Sequence, residues 1–460
     1  MFKNFKFTWA NFKIDRKRAQ RLCVAFIFLM LIGIFGYLLA YTRFLTLQSK
    51  TISLISLNKK LTAKLKNCRE RLELCQDRFV KKVEIIPNSC GGYNFYVKGK
   101  PFLVKGVGYN PTPIGKGYDY ELFSDETKPW LVDGKLMKEA GINCVRIYST
   151  GSDLEKVKEF ISDMYEKFGI YTLVSDWLGL WDYPRANYAD QKFRERTKKR
   201  ILGIVEALKN EEGLLMWILG NENNYTFSGR IGFWTSNEIE KLPEACDKQN
   251  KRAEIYYSFV NDLTLAIKKI DPLHPIALGN GEANFLQIAS QQAKDVDLLA
   301  IIIYRGKSFG NLFNSVRHSF DKPIMLSEFG SDSYDAYREK EDQDIQSEFL
   351  ISQWKDLYAN TTISGNCEAN AIGGSLFEWN DEWWKHNEGY SDGWSIHDTE
   401  AGWSHGAYFF DIRAKNNLNM NEEWFGIVSL SKDKENGINK RNPKKSYYDL
   451  RTFFGQPYTD

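Results

Sequence analysis

Lys138–Tyr148 reads KEAGINCVRIY. Its first residues end an amphipathic pattern over Leu131–Ala140, and its last ones form the apolar run Cys144–Tyr148. A helical period gives way to a strand within a few residues, as in a unit that alternates helix and strand. Upstream, NFYVKGKPFLVKG starts like a hairpin and leads into a strand over Phe102–Tyr109. Downstream, strand patterns recur at Tyr171–Trp177, Leu214–Gly220, Pro275–Gly279, Val296–Tyr304, Ile324–Ser327 and Ala371–Trp379. Helical patterns lie between them, for example Leu154–Phe168, Phe193–Lys209 and Arg252–Ile270. Eight strands interleaved with helices give an α/β fold and suit a closed (β/α)8 TIM barrel. A doubly wound sheet is the structural alternative, but no GxGxxG or GxxxxGK[ST] follows a strand. Cys144, inside its apolar strand, reads as a small buried hydrophobe.

The segment before the barrel has a different character. Leu22–Tyr41, LCVAFIFLMLIGIFGYLLAY, carries no charge. At about 1.5 Å per residue it is long enough to cross a hydrocarbon core of roughly 30 Å. Lys3, Lys6, Lys13, Arg16, Lys17, Arg18 and Arg21 precede it, opposed by Asp15. The positive-inside rule puts residues 1–21 in the cytoplasm and everything after Tyr41 in the periplasm or outside the cell. A cleaved signal peptide has a shorter apolar core and a small-x-small site, so an uncleaved signal anchor is expected. Residues 45–82 then carry a heptad. Leu54, Leu61, Cys68 and Cys75 share one position, and Asn58, Leu65, Leu72 and Phe79 the other. A short coiled-coil stalk follows from this, with a parallel homodimer as the expected partnership and Cys68 and Cys75 facing their symmetry mates. Pro87–Gly92 reads as the linker into a catalytic domain over residues 83–460.

Bulk composition excludes more than it assigns. With 62 basic and 59 acidic residues the formal charge is +3, so no nucleic-acid footprint exists. Seven scattered Cys show no zinc spacing. Aromatic residues make up 15% of the chain, with 13 Trp and 24 Tyr, a content that suits sugar rings as well as a large core.

In a TIM barrel, chemistry gathers at the C-terminal ends of the strands. Polar groups stand there: Asn110 after strand 1, Arg146 in strand 2, Asp176 in strand 3, Asn221 and Glu222 after strand 4, Tyr304 at strand 6, Glu328 after strand 7, and Glu378 with Trp379 at strand 8. WILGNENN (217–224) and IMLSEFG (324–330) put two carboxylates on opposite sides of one mouth. Glycoside cleavage needs such a pair, one group protonated to donate to the leaving oxygen and one ionised to attack the anomeric carbon. Arg146 in the same mouth favours an ionised Glu328, and Asn221 suits a sugar 2-hydroxyl. Trp177, Trp181 and Tyr183 after strand 3, Trp234 after strand 4, and Trp379, Trp383 and Trp384 after strand 8 offer rings for stacking. The long segment after strand 8 holds His386, His397 and His405 without tight ligand spacing. A cleft-shaping lid is therefore expected there rather than a metal site, and no cofactor is expected.

From about Tyr93 to Phe454 the chain resembles the retaining glycoside hydrolases of clan A. It looks nearest to family 2 catalytic barrels and to the family 72 β-1,3-glucanosyltransferases. The resemblance rests on KGKPFLVKGVGYNPTP, KEAGINCVRIY, the paired GNEN and SEFG, GGSLFEWNDEWW, and the closing EEWFGIVSL…KKSYYDLRTFF. It implies Glu222 as acid/base and Glu328 as nucleophile, with Arg146 and Tyr304 supporting it and Trp379 as the platform beneath the donor sugar. Asn221, Asp176, Trp177, Trp181 and Glu378 complete the expected substrate contacts. The expected activity is that of a membrane-anchored retaining β-glycoside hydrolase or transglycosylase acting on a cell-envelope or extracellular polysaccharide. A catalytically inactive glycan-binding scaffold is the alternative.

Overall fold

The computed structural model describes residues 83–229, 231–335, 338–385, 391–399 and 421–456, with a few isolated positions before them (24, 28, 30, 32, 33 and 64). Most of the expected anchor, nearly all of the expected stalk, and His386 and His405 lie outside the described residues. Among the described residues no helix is long and apolar enough to cross a membrane.

The run Leu214–Leu219, LLMWIL, shows how the barrel forms. Every residue in it is buried, as expected of a parallel strand covered on both faces. Seven further strands match it, giving β1 Val104–Gly108, β2 Cys144–Ile147, β3 Tyr171–Asp176, β4 Leu214–Leu219, β5 Ile276–Gly281, β6 Leu298–Ile302, β7 Ile324–Phe329 and β8 Ala371–Leu376. Each pairs in parallel with its neighbours, and β8 pairs with β1 to close the barrel. All eight expected strands are present. A helix follows each strand: α1 Trp130–Glu139, α2 Leu154–Phe168, α3 Gln191–Leu208, α4 Ala245–Ile270, α5 Leu286–Gln292, α6 Leu312–Ser319, α7 Gln343–Ala359 and α8 Lys445–Gly455.

Helix boundaries have local causes. For α2, the Asp153 side chain accepts from the Glu155 and Lys156 amides at the N-terminus. Gly169, at φ +73°, ends it in the left-handed conformation.

Two apolar layers result. Outward-facing strand residues such as Val145, Ile147, Trp217 and Leu326 pack against the helices. Inward-facing ones such as Cys144, Leu173, Met216 and Met325 fill the lower barrel. A small antiparallel sheet of Val83–Pro87, Tyr93–Val97 and Lys100–Pro101 adds Val83, Phe95 and Val97 to that inner cluster. Cys90, just after the first of these strands, forms a disulfide with Cys367, just before β8.

The C-terminal hairpin, β9 Val428–Glu435 and β10 Ile438–Pro443, lies after the segment that leaves β8. Arg441 on β10 grips Asp133 of α1 with Nε at 2.9 Å and Nη2 at 3.0 Å, and Tyr109 donates to the same carboxylate at 2.8 Å. Lys444 pairs with Asp381 at 2.7 Å, both side chains fully buried. The first contacts tie β10 to α1, and the Lys444–Asp381 pair ties the residue after β10 to the β8 exit.

Candidate active site

Arg146 is the third residue of β2. Side chains alternate along a strand, so it faces inward with Cys144, while Val145 and Ile147 face the helices. It is fully buried, and its guanidinium spends its donors on three strand ends. Nε donates to Ser175 Oγ at 2.9 Å, Nη2 to Asn221 Oδ1 at 2.6 Å, and Nη1 to Glu328 Oε1 at 2.8 Å and to the Ser327 carbonyl at 3.1 Å.

Glu328 reaches this position through an irregularity in β7. Met325 faces the barrel interior, whereas Leu326 and Phe329 face the helices. Strict alternation would turn Glu328 outward with Leu326. The pairing with β6 shifts between Leu326 and Glu328, so the strand gains a residue and Glu328 points to the mouth. Tyr304 donates its hydroxyl to Glu328 Oε2 at 3.1 Å. Both carboxylate oxygens are therefore held. Burial pushes the Glu328 carboxyl above its ordinary range, while Arg146 and the Tyr304 hydrogen bond pull the other way.

Glu222 follows Gly220-Asn221 at the end of β4. Gly220 has φ +85°, and an added Cβ would lie 2.3 Å from Tyr256 Oη, so the turn requires glycine. Asn223 Oδ1 accepts from the Asn221 amide at 2.8 Å, and the Glu222 carbonyl accepts from Tyr225 N at 2.9 Å, starting a short 3₁₀ turn. Glu222 is half-buried. Burial raises the Tyr304 phenol well above its ordinary value, and the charge of Glu328 adds to this, with Glu422, Tyr148 and Glu222 acting in the same direction.

An aromatic track leads outward from the arginine. The Arg146 guanidinium lies 4.5 Å from the Tyr148 ring centre. Tyr148 stacks on Trp177 at 5.5 Å, and Trp177 meets Trp181 edge-on at 6.3 Å. Trp181 is 62% exposed. Tyr148 is not among the contacts expected from the sequence; its place just past β2, two residues beyond Arg146, is the signal that marks it.

Three expected contacts take other roles. Trp379 is fully buried in the outer core and packs on Tyr447 at 6.3 Å, so its ring faces no cleft. The aromatic that packs against Tyr304, the hydrogen-bond partner of Glu328, is instead Phe377, edge-on to Tyr304 at 6.5 Å and to Tyr148 at 6.3 Å. β8 ends at Leu376, and the buried indole lies two residues past that ring, outside the strand. Asp176 is bound to Arg200 of α3 through both guanidinium nitrogens and caps the Leu178 amide at 2.8 Å, which commits its oxygens to the scaffold. Glu378 is fully buried beside Glu382 rather than lining an open surface.

The segment after β8 is pinned by ring stacking. Trp383, His397 and Trp424 lie nearly parallel, at 4.6 and 3.5 Å between centres, and Tyr334 extends the column at 5.1 Å. His397 shares its Nε2 hydrogen with the Glu423 carbonyl at 2.8 Å, and burial pushes its pKa down to about 3.

No family model matches the chain. The 1,3-beta-glucanosyltransferase gel2 of Aspergillus fumigatus is 28% identical over 148 residues, which make up 30% of this chain and 29% of that protein. Among solved structures, Bacteroides uniformis beta-glucuronidase 2 aligns over 81% of this chain and 37% of its own, at TM-score 0.52 and 14% identity. A second Bacteroides uniformis beta-glucuronidase structure aligns over 79% and 36%, at TM-score 0.50 and 14% identity. The fold is that of glycoside hydrolase barrels. This bears out the resemblance read from the sequence. The chain spans less than a third of the length of the curated relatives it matches.

Proposed function

We propose that the chain is a retaining β-glycosidase or transglycosidase, with Glu328 as nucleophile and Glu222 as acid/base. The observation that carries this reading is the set of contacts on Glu328: Arg146 on one oxygen and Tyr304 on the other, with Arg146 also holding Asn221. A buried carboxylate ringed by fixed donors is stabilised as an anion and aimed without reorganisation.

In the first step Glu328 attacks the anomeric carbon as the glycosidic C–O bond breaks, and Glu222 gives its proton to the leaving oxygen. A glycosyl ester on Glu328 results. In the second step Glu222 takes a proton from water, or from an acceptor hydroxyl, which attacks the same carbon and expels Glu328. Hydrolysis and transfer differ only in that acceptor. Because Asn221 Oδ1 is engaged by Arg146, its Nδ2 is the end of the amide available to a sugar 2-hydroxyl. Tyr148, Trp177 and Trp181 form a track for further sugars of a polymer.

The proposed setting is extracytoplasmic, with residues 22–41 as membrane anchor and the stalk as a dimerising spacer. The uncharged run with its basic flank supports the anchor. The Cys90–Cys367 disulfide suits an oxidising compartment. The substrate is then a cell-envelope or extracellular polysaccharide.

The test is incubation of the detergent-solubilised full chain with reduced oligosaccharides of β-glucan, β-mannan and β-galactan, with products sized by mass spectrometry. Shorter products, or longer ones by transfer, are expected and should vanish in Glu328→Gln. Wild-type product release by Glu328→Gln would overturn the assignment.

A further inference from the structure

The chain as a whole is nearly balanced in charge, but one stretch is not. Residues 181–200, from the loop after β3 into α3, hold seven basic side chains and three acidic ones. Two of the cations serve the scaffold: Arg194 Nε donates to the Tyr188 carbonyl at 2.9 Å, and Arg200 binds Asp176. The three acids have partners of their own. Asp190 caps the Lys192 amide at 2.9 Å, Glu195 accepts from Gln191 Nε2 at 2.9 Å, and the charge of Asp182 acts on Arg200. Lys198 is half-buried. Arg185, Lys192, Arg196 and Lys199 are exposed, and among the described residues none of these four has an ion pair. Lys192, Arg196 and Lys199 stand four and then three residues apart, so they share one face of the helix. Like charges at these spacings repel, and an anionic partner relieves that repulsion.

The patch adjoins the aromatic track. Arg200 meets Asp176, the last residue of β3, and α3 runs back from the mouth, so the helix residues before Arg200 stand on the mouth side of that strand end. Phe193, in the first turn of α3, lies against the loop after β3, where an added Cβ on Gly179 would be 2.8 Å from its ring. Trp181, edge-on to Trp177, and the almost wholly exposed Tyr183 belong to the same loop. Arg185 follows them and reaches the loop after β4, where an added Cβ on Gly232 would be 3.8 Å from its Nη1. Exposed rings and unpaired cations therefore lie together on one rim. Rings take the flat faces of sugars, and guanidinium and ammonium groups take anionic substituents. The track begins beside Arg146 and Glu328, so the polymer that lies along it is the glycan whose cleavage is proposed above.

We propose that this rim binds an acidic polysaccharide, with carboxylate or sulfate groups on Arg185 and the α3 cations and sugar rings on Trp181 and Tyr183. The inference rests on the glycosidase reading and names its substrate class. Charges placed here attract the polymer without touching the reacting sugar, and salt screens that attraction.

The test measures calorimetric binding of hexamers of β-linked mannose, mannuronate and sulfated mannose to the detergent-solubilised full chain carrying Glu222→Gln, so that turnover plays no part. At low ionic strength an acidic hexamer is expected to bind roughly tenfold tighter than the neutral one, and added salt should erase the difference. Whichever acidic hexamer shows the preference identifies the anionic group. Arg185→Gln combined with Arg196→Gln should remove most of the preference and leave the neutral hexamer unaffected. Lys100→Gln combined with Lys135→Gln removes the same charge from exposed sites outside the patch and should leave the preference intact. Trp181→Ala should weaken all three hexamers alike. Equal affinity for acidic and neutral hexamers, or equal losses from the two double variants, overturns the acidic rim. Tighter binding of single-stranded DNA or of anionic phospholipid vesicles than of either acidic hexamer overturns the glycan as its partner. Turnover of a neutral glycan that depends on Glu328 would then leave the glycosidase reading standing. Patch-dependent binding of an acidic hexamer without turnover of any glycan would keep the rim and retire that reading.

Discussion

Arg146 Nη1 lies 2.8 Å from Glu328 Oε1, and the two side chains come from strands on different sides of the barrel. The arginine is fully buried and the carboxylate nearly so. Burial alone pushes Glu328 upward, and Arg146 opposes it. Removing the guanidinium therefore raises the carboxyl further. As the proposed nucleophile, Glu328 attacks only when ionised, so activity should fall as pH drops through its pKa, and Arg146→Met should move that acid limb to higher pH. The loss of kcat should be about 10²–10³-fold, as for removal of one fixed donor from an active site. A pH–rate profile with an unmoved acid limb would contradict the role given to Arg146.

Trp181 stands at the outer end of the track that begins at Tyr148, and in the proposed function it meets only sugars remote from Glu328. Trp181→Ala should raise KM for long oligosaccharides by about 5–10-fold through loss of ring stacking, worth roughly 0.5–1.5 kcal/mol. Hydrolysis of a short aryl glycoside should be unchanged. Kinetics on substrates of two lengths separates these outcomes, and an equal effect on both would remove the track from the binding site.

His397 offers a test in stability rather than rate. Its pKa is pushed down to about 3 between Trp383 and Trp424, against an ordinary value near 6.5. The unfolded chain then binds a proton that the folded one does not. Stability from this group is complete above about 6.5 and is lost as pH falls toward 3. Thermal melts between pH 7 and 4 should show a decline that His397→Phe makes shallower. Identical slopes would mean that the ring is not buried in the column.

Much of this architecture is legible in the sequence because parallel strands covered on both faces read as apolar runs. LLMWIL at Leu214–Leu219 and the end of KEAGINCVRIY are such runs, and the observed strands fall on them. The positions of Arg146, Asn221, Tyr304 and Glu328 also follow from their places at strand ends. What the pattern does not reveal is side-chain direction once the regular period breaks. Alternation in IMLSEF turns Glu328 toward the helices, and only the shift between Leu326 and Glu328 brings it back. The β8 exit misleads in the same way. Past Leu376 the chain leaves the strand, so Phe377 faces the site while Trp379 goes into the core. Asp176 needed a partner on α3, Arg200, that no local pattern announces. Cys90 and Cys367 are likewise 277 residues apart, so their pairing is a matter of the closed fold.

That disulfide links the N-terminal sheet to the approach of β8 and closes a long loop. Reduction, or Cys367→Ser, should lower stability by about 2–4 kcal/mol without changing the products formed. Denaturant melts with and without a reductant measure this. A midpoint indifferent to reduction would show that the bond is not formed in the protein as made.

The central claim is double displacement through Glu328 with Glu222 as acid/base. Proton NMR of the anomeric signal, recorded from the first minutes of turnover by the full chain, tests it most directly. A first product that keeps the β configuration is predicted, with Glu328→Gln inactive and Glu222→Ala partly rescued by azide as a β-glycosyl azide. An inverted first product would contradict the nucleophile assignment and, with it, the account of the Arg146–Glu328 pair.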